Sequence, residues 1–223
     1  MTGGTSPPPR DGVVFLHGIA RTARSFRRMQ AAMQASGFAT LNLGYASRRK
    51  PLQSLAEDIH PAIAGFAGAV EGAVHFVGHS MGGLLTRVYL ARHPPLRLGR
   101  VVMLGTPNGG SEIADRLRGM SAYRAYFGPA GQQLITLRDA ALTAMLPAID
   151  YPVGIIAGNR SIDPVSSTFL LPRPNDGRVS VHNTRLDGMA DHIVIAAAHP
   201  FLMRNTIAIE QTIAFLRNGR FTA

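Results

Sequence analysis

Short, uninterrupted apolar runs alternate with helix-like segments along most of the chain. The apolar runs have the length and the β-branched content of buried strands. They span residues 12–18, 38–45, 73–80, 100–107, 152–159 and 192–199. Helices are predicted over residues 23–36, 52–68, 82–92, 132–146 and 204–217. Strands that are apolar throughout and separated by helices are typical of a mostly parallel sheet covered on both faces, so the pattern predicts a six-stranded α/β fold.

The chain is organised as one domain with a short leading segment. Its 223 residues suffice for one sizeable core, and the 46% of hydrophobic residues is an ordinary globular proportion. Residues 1–11 are rich in Gly, Pro and Ser and are expected to form a flexible tail before a single domain at 12–223. Residues 106–150 connect two predicted strands and could form a small cap. The second helix is expected to start with Ser54 and Glu57 in capping-box spacing.

The sequence FVGHSMGG at residues 76–83 places a serine between two glycines where a strand is predicted to become a helix. Such a direct turn strains the residue at its apex and points that side chain out of the sheet. Gly78 and Gly82 are the positions where a Cβ would clash with the chain. Ser80 is therefore the predicted nucleophile, and the backbone N–H of Met81 would face a developing oxyanion.

A serine hydroxyl needs a base to take its proton and a third group to orient that base. In this topology both follow the serine, on loops at the carboxyl ends of strands. His199 ends the last predicted strand and is the predicted base, with His192 as the alternative; His79 is expected to point away from the site. For the acid, Asp176 in a turn-forming Asn-Asp-Gly sequence is favoured over Asp163.

The loop after the first predicted strand supplies a second expected oxyanion donor. His17 and Gly18 end that strand and leave the backbone N–H of Ile19 free to point into the cleft. His17 is interpreted as a residue that shapes this loop, at the edge of the substrate site, through its own hydrogen bonds. The residues predicted to form an apolar wall for an acyl chain are Tyr123, Tyr126, Phe127, Phe169, Leu170 and Leu171.

A second apolar pattern, Leu134, Leu137, Ala141 and Met145, recurs at helical spacing within 106–150. It is interpreted as one face of a helix packed on the sheet, since such a helix would show the same stripe.

The net charge of +10 raises the question of a nucleic-acid partner. Lys50 is the single lysine, and the arginines are spread along the chain without the interleaved aromatic residues of a base-stacking surface. A solvated basic surface is therefore expected and nucleic acid is not, with attraction of an anionic membrane surface or substrate as the alternative. The absence of cysteine excludes disulfides and thiol nucleophiles. No secretory leader or membrane-spanning run is recognised, so a cytoplasmic location is expected.

The segments HGIA, GHSMGG, LGTPNGGS and PNDGRV…HPFLM occur in an order that resembles the lipase and esterase branch of the α/β-hydrolase superfamily. The resemblance covers residues 12–217 and is strongest to small bacterial triacylglycerol lipases of the minimal type. It implies Ser80 as nucleophile, Asp176 as acid and His199 as base, with N–H groups of Ile19 and Met81 forming the oxyanion hole. The stretch 160–175 departs from the family pattern by lengthening the loop that carries the acid.

The reaction that this resemblance implies is acyl transfer from a small-molecule or lipid ester to water. It requires no metal and no organic cofactor, because the serine, histidine and aspartate supply the nucleophile and the proton transfers. The same residues would also serve a thioesterase, an acyltransferase or an amidase. A non-catalytic binding module that keeps the fold is the remaining alternative, and it predicts an unreactive serine.

Overall fold

The computed structural model of the chain describes residues 10–137, 139–162 and 166–222. Within them six strands form one sheet in the order β2-β1-β3-β4-β5-β6, and every neighbouring pair is parallel. The strands are β1 (Gly12–Leu16), β2 (Ala39–Leu43), β3 (Val74–His79), β4 (Leu98–Leu104), β5 (Val153–Gly158) and β6 (Asp191–Ile195). The predicted six-stranded parallel sheet is therefore confirmed.

Helices cover both faces of this sheet. They are α1 (Arg27–Ala35), α2 (Leu52–Ala69), α3 (Met81–Arg92), α4 (Glu112–Leu117), α5 (Ser121–Gln132), α6 (Ala140–Met145), α7 (Val181–Thr184) and α8 (Thr206–Asn218). Successive side chains of a strand point to opposite faces, so Phe76 packs in a core with α2 and α3, whereas Val77 packs in a second core with α1 and α8. Among the described helices, none combines the length and the apolar character needed to cross a bilayer.

Helix α2 begins before the predicted capping box. The carbonyl of Pro51 accepts the first helical hydrogen bond, from Leu55 N at 3.0 Å, and the helix starts at Leu52. Proline suits this place because it lacks the N–H that a helix start would leave unpaired. Ser54 therefore lies inside the helix, and Glu57 instead accepts from Arg92 Nε at 2.7 Å. The expected capping box is wrong.

The helix predicted over 132–146 is also wrong, because in the described residues only the short helix α6 starts within that range. Helix α5 ends at Gln132, and α6 starts only at Ala140, where the side chain of Asp139 accepts from Leu142 N at 2.8 Å. Leu134 is buried, whereas Leu137 is 78% exposed, so the apolar stripe is not one helix face.

Strand β6 is shorter than the predicted run over 192–199. It ends at Ile195, and His199 instead begins a 3-10 turn over His199–Arg204 that leads into α8. His199 nevertheless lies beyond the carboxyl end of β6. This is the edge of the sheet at which Ser80 follows β3.

Candidate active site

The site is built around the turn between β3 and α3. Ser80 occupies this turn with φ 54° and ψ −124°, a conformation that a residue with a Cβ rarely adopts. Its N–H donates to Leu104 O at 2.9 Å, and its carbonyl accepts from Gly83 N at 3.0 Å. The neighbouring strand and the first turn of the helix therefore fix the strained serine from both sides.

Glycine is required on either side of this serine. A Cβ on Gly78 would lie 2.6 Å from Gly83 N, and a Cβ on Gly82 would lie 2.0 Å from Leu16 O. Both contacts are with backbone atoms, which cannot move aside as a flexible side chain could. The clashes predicted at Gly78 and Gly82 are thus present.

A buried carboxylate and imidazole face each other beside this turn. His199 Nδ1 lies 2.6 Å from Asp176 Oδ2, and His199 N donates to the Asp176 carbonyl at 3.0 Å. The other carboxylate oxygen accepts from the N–H groups of Arg178 at 2.9 Å and Val179 at 2.8 Å. Because a carboxylate accepts, His199 donates from Nδ1, which leaves its Nε2 able to accept a proton.

Gly105, which follows β4, leaves room for this pair. Its φ is +55°, and a Cβ there would lie 2.9 Å from Asp176 Oδ2 and 3.1 Å from His199 Nδ1. The LGTPNGGS segment around Gly105 does not by itself reveal this role. The need for it arises from residues that lie far away in sequence.

Ser80 and His199 both line one cleft of about 370 Å³. Ile19 and the predicted acyl-wall residues Tyr123, Tyr126 and Phe127 also line it. Within the described part of the chain, no three His, Asp or Glu side chains are grouped so that they could hold a metal ion.

Of the two expected oxyanion donors, Ile19 lines this cleft, and Met81 directly follows the cleft-lining Ser80 in sequence. In the described residues, the N–H of Ile19 has no hydrogen-bond acceptor, and the next N–H, of Ala20, donates to Ser47 Oγ at 3.2 Å. Met81 opens helix α3, and the first N–H groups of a helix have no acceptor within it. Both groups are thus available to an oxygen atom bound beside Ser80.

His17 lies under the cleft rather than in its lining. It is fully buried, and burial lowers its pKa although the hydrogen bond to the Gly18 carbonyl opposes this. The neutral ring donates from Nδ1 to Gly18 O at 2.9 Å and stacks on the Tyr45 ring at 4.1 Å between centroids. This agrees with the interpretation of His17 as a residue that shapes the loop after β1.

His79 lines the cleft, so the expectation that it points away is wrong. Its Nε2 lies 3.0 Å from the carbonyl of His199, and the two ring centroids are 4.7 Å apart. A carbonyl only accepts, so Nε2 carries the hydrogen. Burial, assisted by the charges of His199 and Arg21, lowers the pKa of His79 well below its usual range and keeps the ring neutral. His79 therefore holds the main chain of His199 in place.

Phe169, Leu170 and Leu171 lie outside the cleft lining that the described residues form. Residues Ser166–Leu170 make one π-helical turn that contacts α4, and this leaves Phe169 73% exposed while Leu171 is buried. The structure therefore separates these residues from the aromatic side chains of α5. The expectation that they belong to the acyl wall is not supported by their position.

The alternative base is not found beside the serine. His192 lies near the amino end of β6, where its Nε2 is 3.0 Å from Thr184 Oγ1. Asp163 lies outside the described residues.

Comparison with known proteins agrees with this architecture. Residues 13–206 match the model of the alpha/beta hydrolase family. The mature lipase BlEst2 of Bacillus licheniformis is 19% identical with a TM-score of 0.73, covering 97% of this chain and 94% of that one. The metagenomic carboxyl esterase MGS0156 is 20% identical with a TM-score of 0.65, covering 89% and 68%. The type II thioesterase BorB of the borrelidin biosynthetic cluster is 17% identical with a TM-score of 0.61, covering 95% and 93%.

Proposed function

Because the chain belongs to the alpha/beta hydrolase family, we propose that it is a serine carboxylic-ester hydrolase of the esterase or lipase type. The observation that carries the proposal is the buried Asp176–His199 contact of 2.6 Å at a cleft that Ser80 also lines. A serine on a strained turn beside an oriented imidazole is the arrangement that nucleophilic acyl transfer requires.

In the proposed reaction, Ser80 Oγ attacks the ester carbonyl while His199 Nε2 takes the hydroxyl proton. The resulting oxyanion accepts hydrogen bonds from the N–H groups of Ile19 and Met81. In comparable sites each such donor contributes about 10²–10³-fold to kcat. Collapse of the tetrahedral intermediate releases the alcohol, which receives the proton from His199 and leaves an acyl-enzyme. Water, deprotonated by His199, then releases the acid and restores Ser80.

Asp176 has an orienting role in this proposal. Its Oδ2 keeps the imidazole proton on Nδ1 of His199, and it stabilises the imidazolium that forms during each step. The backbone donors at Arg178 and Val179 hold the carboxylate itself. The acid is thus fixed before the substrate arrives.

Thioester hydrolysis is the second candidate. The same residues would attack a thioester carbonyl, and the type II thioesterase BorB has the same fold over nearly the whole of both chains. The fold alone does not select the leaving group. The two reactions share every step except the protonation of the leaving atom.

Covalent labelling combined with a substrate panel tests the proposal. A fluorophosphonate probe is expected to modify Ser80, seen by mass spectrometry of the peptide that contains it. Nitrophenyl esters are expected to be hydrolysed faster than acyl-thioesters or anilides. A chain that neither takes the label nor hydrolyses any of these compounds would be a binding module, and the proposed function would be wrong.

We further propose that residues 106–150 act as a small cap that receives the acyl chain. Phe127, from α5, is expected to contact the far part of a long chain. Phe127→Ala is therefore expected to lower kcat/KM for a decanoyl nitrophenyl ester about 10-fold more than for the acetyl ester, since about 1.4 kcal/mol of apolar burial is lost.

Phe169→Ala is the matched control for this prediction. It removes the same ring from a position that is 73% exposed and outside the cleft lining. The ratio of kcat/KM for the decanoyl ester to kcat/KM for the acetyl ester should therefore stay at the wild-type value. Equal losses on both esters in Phe127→Ala would show that α5 does not contact the acyl chain.

A further inference from the structure

A second cavity, of about 340 Å³, adjoins the catalytic cleft and shares Ala20 and Arg21 with it. It lies between the loop after β1 and the 3-10 turn that begins at His199. We call it the arginine pocket, because Arg21, Arg24 and Arg204 line it together with the hydroxyl-bearing Thr22 and Ser25. No acidic side chain is part of this lining in the described residues.

The cations of the arginine pocket lack carboxylate partners. In the portions of the chain that the structure describes, none of these three guanidinium groups forms an ion pair. All three arginines are exposed and carry like charges, and a bound anion would offset the repulsion between them. The pocket is therefore electrostatically suited to a negatively charged group.

Local contacts hold the pocket in shape. The guanidinium carbon of Arg204 lies 5.3 Å from the centroid of the Phe201 ring. The carbonyl of Arg204 accepts from Arg28 Nη1 at 2.8 Å, which ties the turn to α1. Arg21 also lines the catalytic cleft together with Ser80. An anion bound at Arg21 would thus lie at the edge of that cleft.

The pocket and the apolar wall are built from different elements. The aromatic wall comes from α5, whereas the arginines come from the loop after β1 and the turn after β6. A single substrate can therefore place its acyl chain against α5 and a charged leaving group in the arginine pocket. Guanidinium groups bind phosphate oxygens in pairs, and hydroxyl groups add further donors.

We propose that the arginine pocket binds a phosphate group on the leaving-group side of the substrate. This inference rests on the proposed function and narrows it: the preferred substrate is an acyl ester or thioester whose alcohol or thiol part carries a phosphate. A glycerophospholipid and a phosphopantetheine-type thioester share that chemistry.

Paired substrates of matched acyl length test the proposal. Dihexanoyl glycerophosphate is compared with dihexanoyl glycerol, and hexanoyl-CoA with the neutral N-acetylcysteamine thioester. Arg24→Gln and Arg204→Gln are each expected to lower the anionic-to-neutral ratio of kcat/KM by about 5-fold at low salt. Arg220→Gln, two residues beyond the end of α8 and outside both cavities, removes the same charge and should leave both ratios unchanged.

The outcomes separate the possible sources of the phosphate. A loss confined to the glycerophosphate pair identifies a lipid headgroup, and a loss confined to the thioester pair identifies a phosphopantetheine-type group. If Arg24→Gln and Arg204→Gln give the same ratios as Arg220→Gln in both pairs and still hydrolyse neutral esters, phosphate binding by the arginine pocket would be refuted. The hydrolase proposal would remain intact.

Binding provides a readout that does not depend on turnover. Methyl phosphate is titrated into the wild-type protein and into Arg24→Gln, and the weaker binding expected for the variant is measured by calorimetry. Equal affinity in both proteins would overturn the proposal even if no ester is hydrolysed. An absence of hydrolysis and of fluorophosphonate labelling at Ser80 would instead refute the proposed function.

Discussion

Replacement of Ser80 with alanine is expected to lower kcat for ester hydrolysis by about 10⁴-fold or more, because the proposed mechanism forms the acyl-enzyme on its hydroxyl. Residual activity should arise only from the oxyanion donors acting on bound substrate and water. Stopped assays with a nitrophenyl ester and labelling with a fluorophosphonate would measure both losses. The variant should still fold, since the alanine side chain keeps the Cβ and adds no atoms.

Ser80→Gly is the informative partner of this variant. Both changes remove the hydroxyl, but glycine also relieves the conformation at φ 54° and ψ −124°. Such conformations cost a residue with a Cβ about 1–3 kcal/mol, and glycine avoids this cost. Part of the resulting stabilisation is lost because glycine has more conformational freedom in the unfolded chain. We expect the free energy of unfolding of Ser80→Gly to exceed that of Ser80→Ala by about 1 kcal/mol.

Each half of this prediction can fail separately. A Ser80→Ala protein that hydrolyses esters at a rate near that of the wild type would show that Ser80 is not the nucleophile. Equal unfolding free energies of the alanine and glycine variants in urea would show instead that the turn stores no strain. The second result would leave the chemical role of Ser80 untouched.

The features that could be predicted from sequence are those that local pattern determines. An apolar run followed by closely spaced glycines predicts a buried strand that turns sharply. The structure agrees, because Gly78 and Gly82 leave no space for a Cβ. The parallel sheet follows from the repetition of such runs between helices, and its order confirms the predicted fold. At Gly78 the constraining atom belongs to a near sequence neighbour, Gly83 N, whereas at Gly82 it is Leu16 O of the adjacent strand β1.

The features that were missed depend on residues far apart in the chain. The contact between His79 Nε2 and the carbonyl of His199 joins positions 120 residues apart, and no local pattern indicates it. The break between α5 and α6 is an exception, because it results from a local cap of Asp139 on Leu142 N together with the burial of Leu134, and these outweigh helical spacing. Phe169 is expected at the cleft because it precedes Asp176 closely in sequence, but the π-helical turn over Ser166–Leu170 leaves it 73% exposed.

Replacement of Asp176 with asparagine is expected to lower kcat by about 10³–10⁴-fold with little change in stability. In the wild-type protein, the Asp176 carboxylate accepts hydrogen bonds from Arg178 N at 2.9 Å and from Val179 N at 2.8 Å. The carbonyl oxygen of asparagine can still accept both of them. Its amide nitrogen would then face His199 Nδ1, which has to become an acceptor. The imidazole proton moves to Nε2, where it blocks transfer from Ser80.

Asp176→Ala separates this electronic effect from the structural one. Alanine leaves the two backbone donors without their acceptor in a place where Asp176 is only 1% exposed. Unsatisfied buried donors cost about 1–3 kcal/mol each, so the alanine variant should be less stable than the asparagine variant by at least about 1 kcal/mol. Urea denaturation of both proteins, beside their kcat values, measures the two effects independently.

Asp163→Asn serves as the control for the identity of the acid. Asp163 is the rival carboxylate on the same lengthened loop, and its replacement is expected to leave kcat near the wild-type value. A large loss in Asp163→Asn together with near-normal turnover in Asp176→Asn would mean that the 2.6 Å contact between Asp176 and His199 is structural. In that case the imidazole would be oriented by a different carboxylate during catalysis, and Asp176 would serve only to fix the loop that precedes α7.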